Sequence, residues 1–180
     1  MNIVSDNNLN WYPIRVTYSR EMLLKSYLDK SGIENFLPMR YQSIAIKGKR
    51  KLVLSPIIHN LVFVYSDRKV LDVLKKELEV TIPMRYIMDK EKKTPIIIPE
   101  IQMRNFIAVA GTNDEQLLWI DSSNSLYKKG DSVRIVGGKF CGVEGILLKK
   151  RGKNRVVVSV NGFFSVATAE LSSSMIEKIK

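Results

Sequence analysis

Cysteine, histidine and long apolar runs are scarce in this chain, and each scarcity removes a class of function. The single cysteine, Cys141, has no second thiol with which to close an internal disulfide, so a disulfide-stapled scaffold is out and a reducing compartment fits. With His59 as the single histidine, the His/Cys clusters of a zinc centre cannot be assembled. No carboxylate pair stands in a recognisable acid–base motif. The expectation is therefore a protein that acts without catalysis and needs no cofactor or metal. Apolar runs stop short of a membrane span: "SPIIHNLVFVYSD" and "TPIIIPEI" are of strand length and are interrupted by Pro or polar residues. The start, "MNIVSDNNLN", has neither the basic flank nor the apolar core of a secretion signal. A cytoplasmic protein without a membrane partner is expected, with a monomer as the default.

Acidic residues are also in short supply. Against 29 Lys and Arg there are 18 Asp and Glu, giving a formal charge of +11 and a pI near 9.7. Such a surface favours anionic partners, nucleic acid first. The surplus has a pattern. Residues 1–110 carry 18 basic and 11 acidic side chains, 111–125 carry none and 3, and 126–180 carry 11 and 4. Two basic blocks thus flank a short acidic joint, and 180 residues with 45% hydrophobic content suffice for two small cores.

The joint, "GTNDEQLLWIDSSNS", is rich in Gly, Asn, Asp and Ser and separates two hydrophobic rhythms. Its Leu117, Leu118, Trp119 and Ile120 are expected to cover part of a domain. Before it the rhythm is mixed. "NWYPIRVTY" reads as a strand that Pro13 places at an edge or a beginning. "SREMLLKSYLDKSG" reads as a helix with Ser19 as N-cap, Met22, Leu23, Tyr27 and Leu28 as its apolar face, and Gly32 at its end. "KGKR" reads as a hairpin tip, and Asp67 as the cap of a helix with Val70, Leu71, Val73, Leu74 and Leu78 on one face. Pro99 opens a last helix. Strand, helix, hairpin, helix, strand is the order of a split ferredoxin-like sandwich. After the joint, "SVRIV", "EGILLKK", "NRVVVSV", "FFSVAT" and "MIEKI" are short strands between tight turns, the pattern of a small SH3-like or OB-like barrel. The fold class is α+β: an α/β sandwich over 9–110, a linker over 111–125 and a barrel over 126–180.

Glycine concentrates in "KKGDSVRIVGGKFCGVEG", residues 128–145. A P-loop fails there, because Gly138-Lys139 is followed by Phe140 and position 133 is Val. The dinucleotide fingerprint fails because Phe140 takes the place of the middle glycine and strands follow instead of a helix. "GVEG" matches the GxxG of a nucleic-acid-binding KH loop, but that loop joins two helices. What remains is structural: glycines at the corners of a curved sheet, with Phe140 filling the barrel and Cys141 inert.

The same residues carry a resemblance. Gly130, Asp131, Val133, Arg134, Gly138, Phe140, Gly142 and Gly145 are similar to the KOW motif in the C-terminal barrel of the NusG transcription factors. The part beginning at Trp11-Tyr12 resembles that family's NGN domain. "FLPM", "KGKR" and "SPIIHNLVFVYSD" look closest to the specialised paralogs, the RfaH-like and Bacteroides-type antiterminators that serve surface polysaccharide operons. The resemblance implies a transcription elongation or antitermination factor that grips the β′ clamp helices of RNA polymerase, beside DNA or RNA of the elongation complex. It implies a polymerase-facing strip at Trp11, Ile58, His59, Asn60, Leu61 and Phe63. Here Ile-His-Asn-Leu replaces the family's aromatic-Pro-Gly/Asn-Tyr. Nucleic-acid contacts are expected at Arg15, Arg20, Lys47, Lys49, Arg50 and Lys51, where crowded cations favour phosphate binding through counter-ion release. The "KKRGKN" hairpin with Arg155 is a further RNA candidate. Phe163 and Phe164 are adjacent, so alternation exposes one of them. In the family this region docks Rho or a ribosomal protein. The alternative is an RNA-binding protein of translation, since ribosomal proteins also carry KOW barrels.

Overall fold

A computed structural model describes residues 8–46, 48–112, 114–121, 130–150, 152–160 and 164–179. It divides into two compact units, Met1–Met39 with Ser55–Glu100, and Arg40–Leu54 with Ile101–Lys180.

The first unit is a four-stranded antiparallel sheet with two helices. In chain order it holds β1 (Asn10–Val16), α1 (Glu21–Lys30) and β2 (Asn35–Phe36). The hairpin of β3 (Met39–Ile46) and β4 (Lys49–Pro56) comes next in the chain, but it forms a separate two-stranded sheet and its residues Arg40–Leu54 belong to the second unit. Then follow β5 (Leu61–Ser66), α2 (Arg68–Glu77) and β6 (Met84–Tyr86). The sheet order β2-β5-β1-β6 is that of the ferredoxin-like sandwich. Strand alternation sends Tyr12, Ile14, Val16, Val62 and Val64 to one face, where they pack with Leu24 and Leu28 of α1 and Leu71, Leu74 and Leu78 around α2. Each such side chain contributes about 2 kcal/mol by leaving water. The Asp67 side chain accepts from the Lys69 N–H at 2.6 Å and so caps α2. Gly32, at φ +67°, ends α1 with Ile33 N–H reaching the Leu28 carbonyl at 2.9 Å.

Three local expectations are corrected. Ser19 is not the N-cap of α1: that place belongs to Arg20, without a side-chain cap, while Ser19 sits at φ +51°. The buried face of α1 is Leu24 and Leu28, whereas Met22 and Leu23 are exposed, as is Val73 of α2. Nor is β1 at an edge, since it runs between β5 and β6. Pro13 is accommodated because the ladder with β6 begins only at Ile14. The Trp11 carbonyl accepts from Ile98 on that side, and alternation puts the Pro13 nitrogen on the same side, in the gap between the two pairings.

In the second unit, α3 (Glu100–Ala110) follows Pro99 directly, and its Phe106 meets Trp119 edge-on at 6.3 Å. The barrel consists of β7 (Leu118–Asp121), β8 (Ser132–Ile135), β9 (Glu144–Lys150), β10 (Lys153–Val160), β11 (Phe164–Ala167) and β12 (Ile176–Lys178). They form one sheet in the order β12-β8-β9-β10-β11-β7. All five strands expected after the joint are present, and a short 3-10 turn at Ser173–Met175 leads into β12. Within 111–125, residues Leu118–Asp121 pair antiparallel with β11.

Candidate binding surfaces

The turns at one end of the first sheet are built on unusual backbone. Tyr18 and Ser19 are consecutive non-glycine residues at φ +59° and +51°, and Asn60, in the turn before β5, is at φ +61°. Left-handed L-residues cost about 1–2 kcal/mol each. Specific bonds hold them. The Ser19 N–H donates to Asn60 Oδ1 at 3.0 Å, and the Val16 N–H donates to the Asn60 carbonyl at 2.9 Å. Arg20 Nη1 donates to the Thr81 carbonyl. The β1–α1 turn is thereby tied both to the β4–β5 turn and to the segment entering β6.

Glu21 opens α1 inside this tie, where the helix N-terminus favours an anion. Its residue exposure is 3%. Oε1 lies 3.6 Å from His59 Nδ1, and Oε2 is buried without a hydrogen-bond partner among the described residues. The His59 side chain is 72% exposed. Of the strip expected around it, Trp11, Ile58, Leu61 and Phe63 are buried, Asn60 is half-buried and His59 stands at the surface. Trp11 packs its ring 5.3 Å from that of Tyr65.

Beside these turns, a groove of about 740 Å³ is lined by Thr17, Tyr18, Asp72, Lys75, Lys76, Glu79 and Arg85, so its three cations stand beside two carboxylates, and Pro83 and Met84 complete the wall. Tyr18 is 78% exposed at its rim, with the Arg20 guanidinium 5.4 Å from the ring centre. Lys75 Nζ lies 4.5 Å over the Tyr86 ring. Burial first, and then donation to Asp72 at 3.0 Å, push the Tyr86 phenol well above its ordinary pKa. Asp72 is thus engaged, and Lys76 and Arg85 have no carboxylate partner among the described residues. Arg15 is exposed and stands opposite Arg85 in the β1–β6 register, a like-charge pair that is unfavourable until an anion arrives. The hairpin exposes Lys49, Arg50 and Lys51 around Gly48 at φ +75°. Lys47 lies outside the described residues. Sequence reading missed Glu21, Tyr18, Lys75, Lys76 and Arg85; the adjacent lysines of α2 were the one available signal.

The barrel's motif residues are mostly architecture. Val133 and Phe140 are buried. Gly138 and Gly142 take φ +76° and +88°. A Cβ on Gly145 would run into the Val157 carbonyl, and one on Gly130 into that of Leu147. Arg134 pairs with Glu144 at 2.5 Å, Asp131 with Lys178 at 2.9 Å, and Lys139 with Asp114. Arg155, the RNA candidate, is turned inward: its guanidinium donates to the carbonyls of Gln116 and Thr168 and pairs with Glu170. Phe164 is half-buried; Phe163 lies outside the described residues.

The described residues thus make an α+β protein, a ferredoxin-like sandwich and a β-rich unit. The chain belongs to the NusG family: the family model described as "Transcription termination factor nusG" matches residues 9–107. Members of that family are transcription factors that bind RNA polymerase and nucleic acid and act without catalysis. Among solved structures, "Domain interaction in Thermotoga maritima NusG" covers 96% of this chain and 98% of its own at 17% identity, with a TM-score of 0.44. No curated protein matches the chain. Among the described residues, no helix is long and apolar enough to cross a membrane.

Proposed function

We propose that this protein modulates pausing or termination at particular operons, surface polysaccharide loci among them, by gripping the β′ clamp helices of RNA polymerase. The grip is assigned to the face around Ile58, His59 and Asn60, with Trp11, Leu61 and Phe63 bracing the turn from within. Residues 9–110 would be the polymerase-binding part. DNA or RNA beside the polymerase would lie against the groove of Lys75, Lys76 and Arg85, with Arg15 and Arg20 extending it; the hairpin cations Lys49, Arg50 and Lys51, with Lys47, would be a separate nucleic-acid contact. Residues 126–180, together with the strand Leu118–Asp121 that pairs with β11, would recruit a second factor, Rho or a ribosomal protein, through the surface around Phe164. Within the family, the reading rests chiefly on the β4–β5 turn, where Asn60 takes a left-handed backbone and anchors Ser19 across 41 residues. Strain held by a long-range bond is characteristic of a surface kept for a partner. Operon specificity is supported by the likeness of "FLPM", "KGKR" and "SPIIHNLVFVYSD" to the specialised paralogs.

The test is binding of the full chain to an elongation complex reconstituted from its own host. A variant carrying Ile58→Ser and His59→Ser, folded by circular dichroism, is expected to bind at least about tenfold more weakly. If the wild type ignores polymerase and binds ribosomal RNA, the translational reading replaces this one.

A further inference from the structure

The Glu21 carboxylate is out of place for its surroundings. A chain of formal charge +11 has ample surface on which to leave a carboxylate wet, yet this one is 3% exposed and has one oxygen with no hydrogen bond among the described residues. A buried carboxylate oxygen left bare is costly. The neighbouring imidazole does not relieve it. His59 Nδ1 is 3.6 Å from Oε1, beyond hydrogen-bond distance, and its side chain is 72% exposed, so the imidazole stands beside the carboxylate without completing it. Arg20, the next residue along the chain, is turned to the Thr81 carbonyl instead. The three left-handed residues Tyr18, Ser19 and Asn60 lie in the two turns next to the carboxylate, and the Ser19 N–H bond to Asn60 Oδ1 ties those turns together.

The chemistry of the missing partner follows from the donor set. A phosphate is repelled. A metal ion lacks ligands, because no group of three His, Cys, Asp or Glu comes together among the described residues. A guanidinium fits: its planar fork presents parallel N–H donors to both oxygens of one carboxylate, and it sheds water more readily than an ammonium. The exposed His59 side chain can rotate aside to admit it. We infer that Glu21 is a receptor for an arginine side chain of RNA polymerase, flanked by His59 in the free protein and opened on docking. The inference rests on the polymerase-binding reading and deepens it. It also explains how a basic protein keeps nucleic acid off its protein-binding face, since a buried negative charge there rejects phosphate while it selects a cation.

The full chain is titrated against the host elongation complex, with folding followed by circular dichroism and thermal unfolding. Glu21→Gln preserves the shape and removes the charge, and is expected to weaken binding about thirtyfold, as loss of a buried interfacial ion pair does. A folded Glu21→Gln protein that binds like the wild type overturns the inference. Two substitutions at the exposed position test it without touching the carboxylate. His59→Lys supplies an internal ammonium that competes for Glu21, whereas His59→Gln does not. The lysine variant is expected to bind at least about tenfold more weakly than the glutamine variant, and equal affinities overturn the proposal. On the polymerase side, alanine replacement of the matching arginine should weaken binding to the wild type but not to Glu21→Gln. A set of clamp-helix arginine variants that shows no such coupling overturns it as well. Failure of the wild type to bind at all is a separate result that removes the polymerase reading and this inference together.

Discussion

Residues 1–110 and 126–180 carry the same surplus, 7 positive charges each, yet the two sets of cations are differently engaged. In the barrel, Arg134, Lys139, Lys153, Arg155 and Lys178 each face a carboxylate of the same unit. In the earlier region Lys25 and Arg68 have carboxylates one helical turn away, but Arg15, Lys49, Arg50, Lys51, Lys76 and Arg85 have none among the described residues. Exposed pairs contribute little to stability, about 0–1 kcal/mol. Their larger effect here is on the field: a paired cation offers a phosphate little that its neighbour does not cancel. In the proposed reading, the cations without a carboxylate partner are the ones that meet the anion.

The comparison is broken most directly by matched triple substitutions. Lys75→Ala, Lys76→Ala and Arg85→Ala together are expected to lower affinity for an oligonucleotide about 100-fold at low salt and to reduce the log–log salt slope by about 2–3. Lys139→Ala, Lys153→Ala and Lys178→Ala remove as much formal charge and should change that slope by less than about 1. Anisotropy titrations across a salt series measure both, and equal effects would show that pairing does not matter.

A second contrast concerns the barrel glycines, read as architecture. Gly145→Ala pushes a Cβ into the Val157 carbonyl, which strand pairing holds in place, and is expected to cost about 3 kcal/mol. Gly142→Ala meets no atom but keeps a left-handed φ of +88°, so about 1 kcal/mol is expected. Denaturant unfolding of the two variants decides whether close approach outweighs conformation. In the first unit, Asn60→Ala removes the acceptor of the Ser19 N–H and a residue tolerant of its left-handed backbone, and should cost about 1.5 kcal/mol. Asn60→Gly retains the backbone freedom and should cost less.

How much of this was legible follows from the range of the forces involved. Asp67 and Gly32 act within a few residues, so their caps were readable from the sequence, and so were the five strands after the joint, whose alternation and turns are local. Ser19 looks like a cap in its own neighbourhood and is displaced by a partner, Asn60, that lies 41 residues on. Pro13 looks like an edge residue because no local pattern announces that the pairing of β1 with β6 starts just after it. Leu118–Asp121 looked like part of a joint because its polar flanks dominate the composition, while its strand partner, β11, lies more than 40 residues away. Of the site, the turn bearing His59 and Asn60 was reached through the family's strand motif. The burial of Glu21 was not, because it depends on the meeting of two turns rather than on either one.

Acid should separate the two regions by the smallest margin. Asp114 is held below the ordinary carboxylate range by its bond from Lys139 first and by the Gln116 N–H next; Glu170 is held down by Lys153 first, with Arg155 assisting. A carboxyl whose folded pKa lies below its unfolded value stabilises the fold above the unfolded value, near pH 4, and that contribution disappears as pH falls through the folded pKa. Asp29 and Asp89 are lowered too, but by partners within six residues: Asn35 and Lys25 for the first, the Lys92 and Glu91 N–H groups for the second. Contacts that local persist in part in the unfolded chain and cancel from the difference. The partners of Asp114 and Glu170 lie 25 and 17 residues away and are lost on unfolding. Asp114→Asn with Glu170→Gln should therefore be less stable than the wild type at pH 7 and converge with it as pH falls through the lowered folded values of these two carboxyls, whereas Asp29→Asn with Asp89→Asn should show a smaller gap at pH 7. Urea unfolding at a series of pH values measures both, and a gap that widens on acidification would contradict the assignment of these pairs to the folded state.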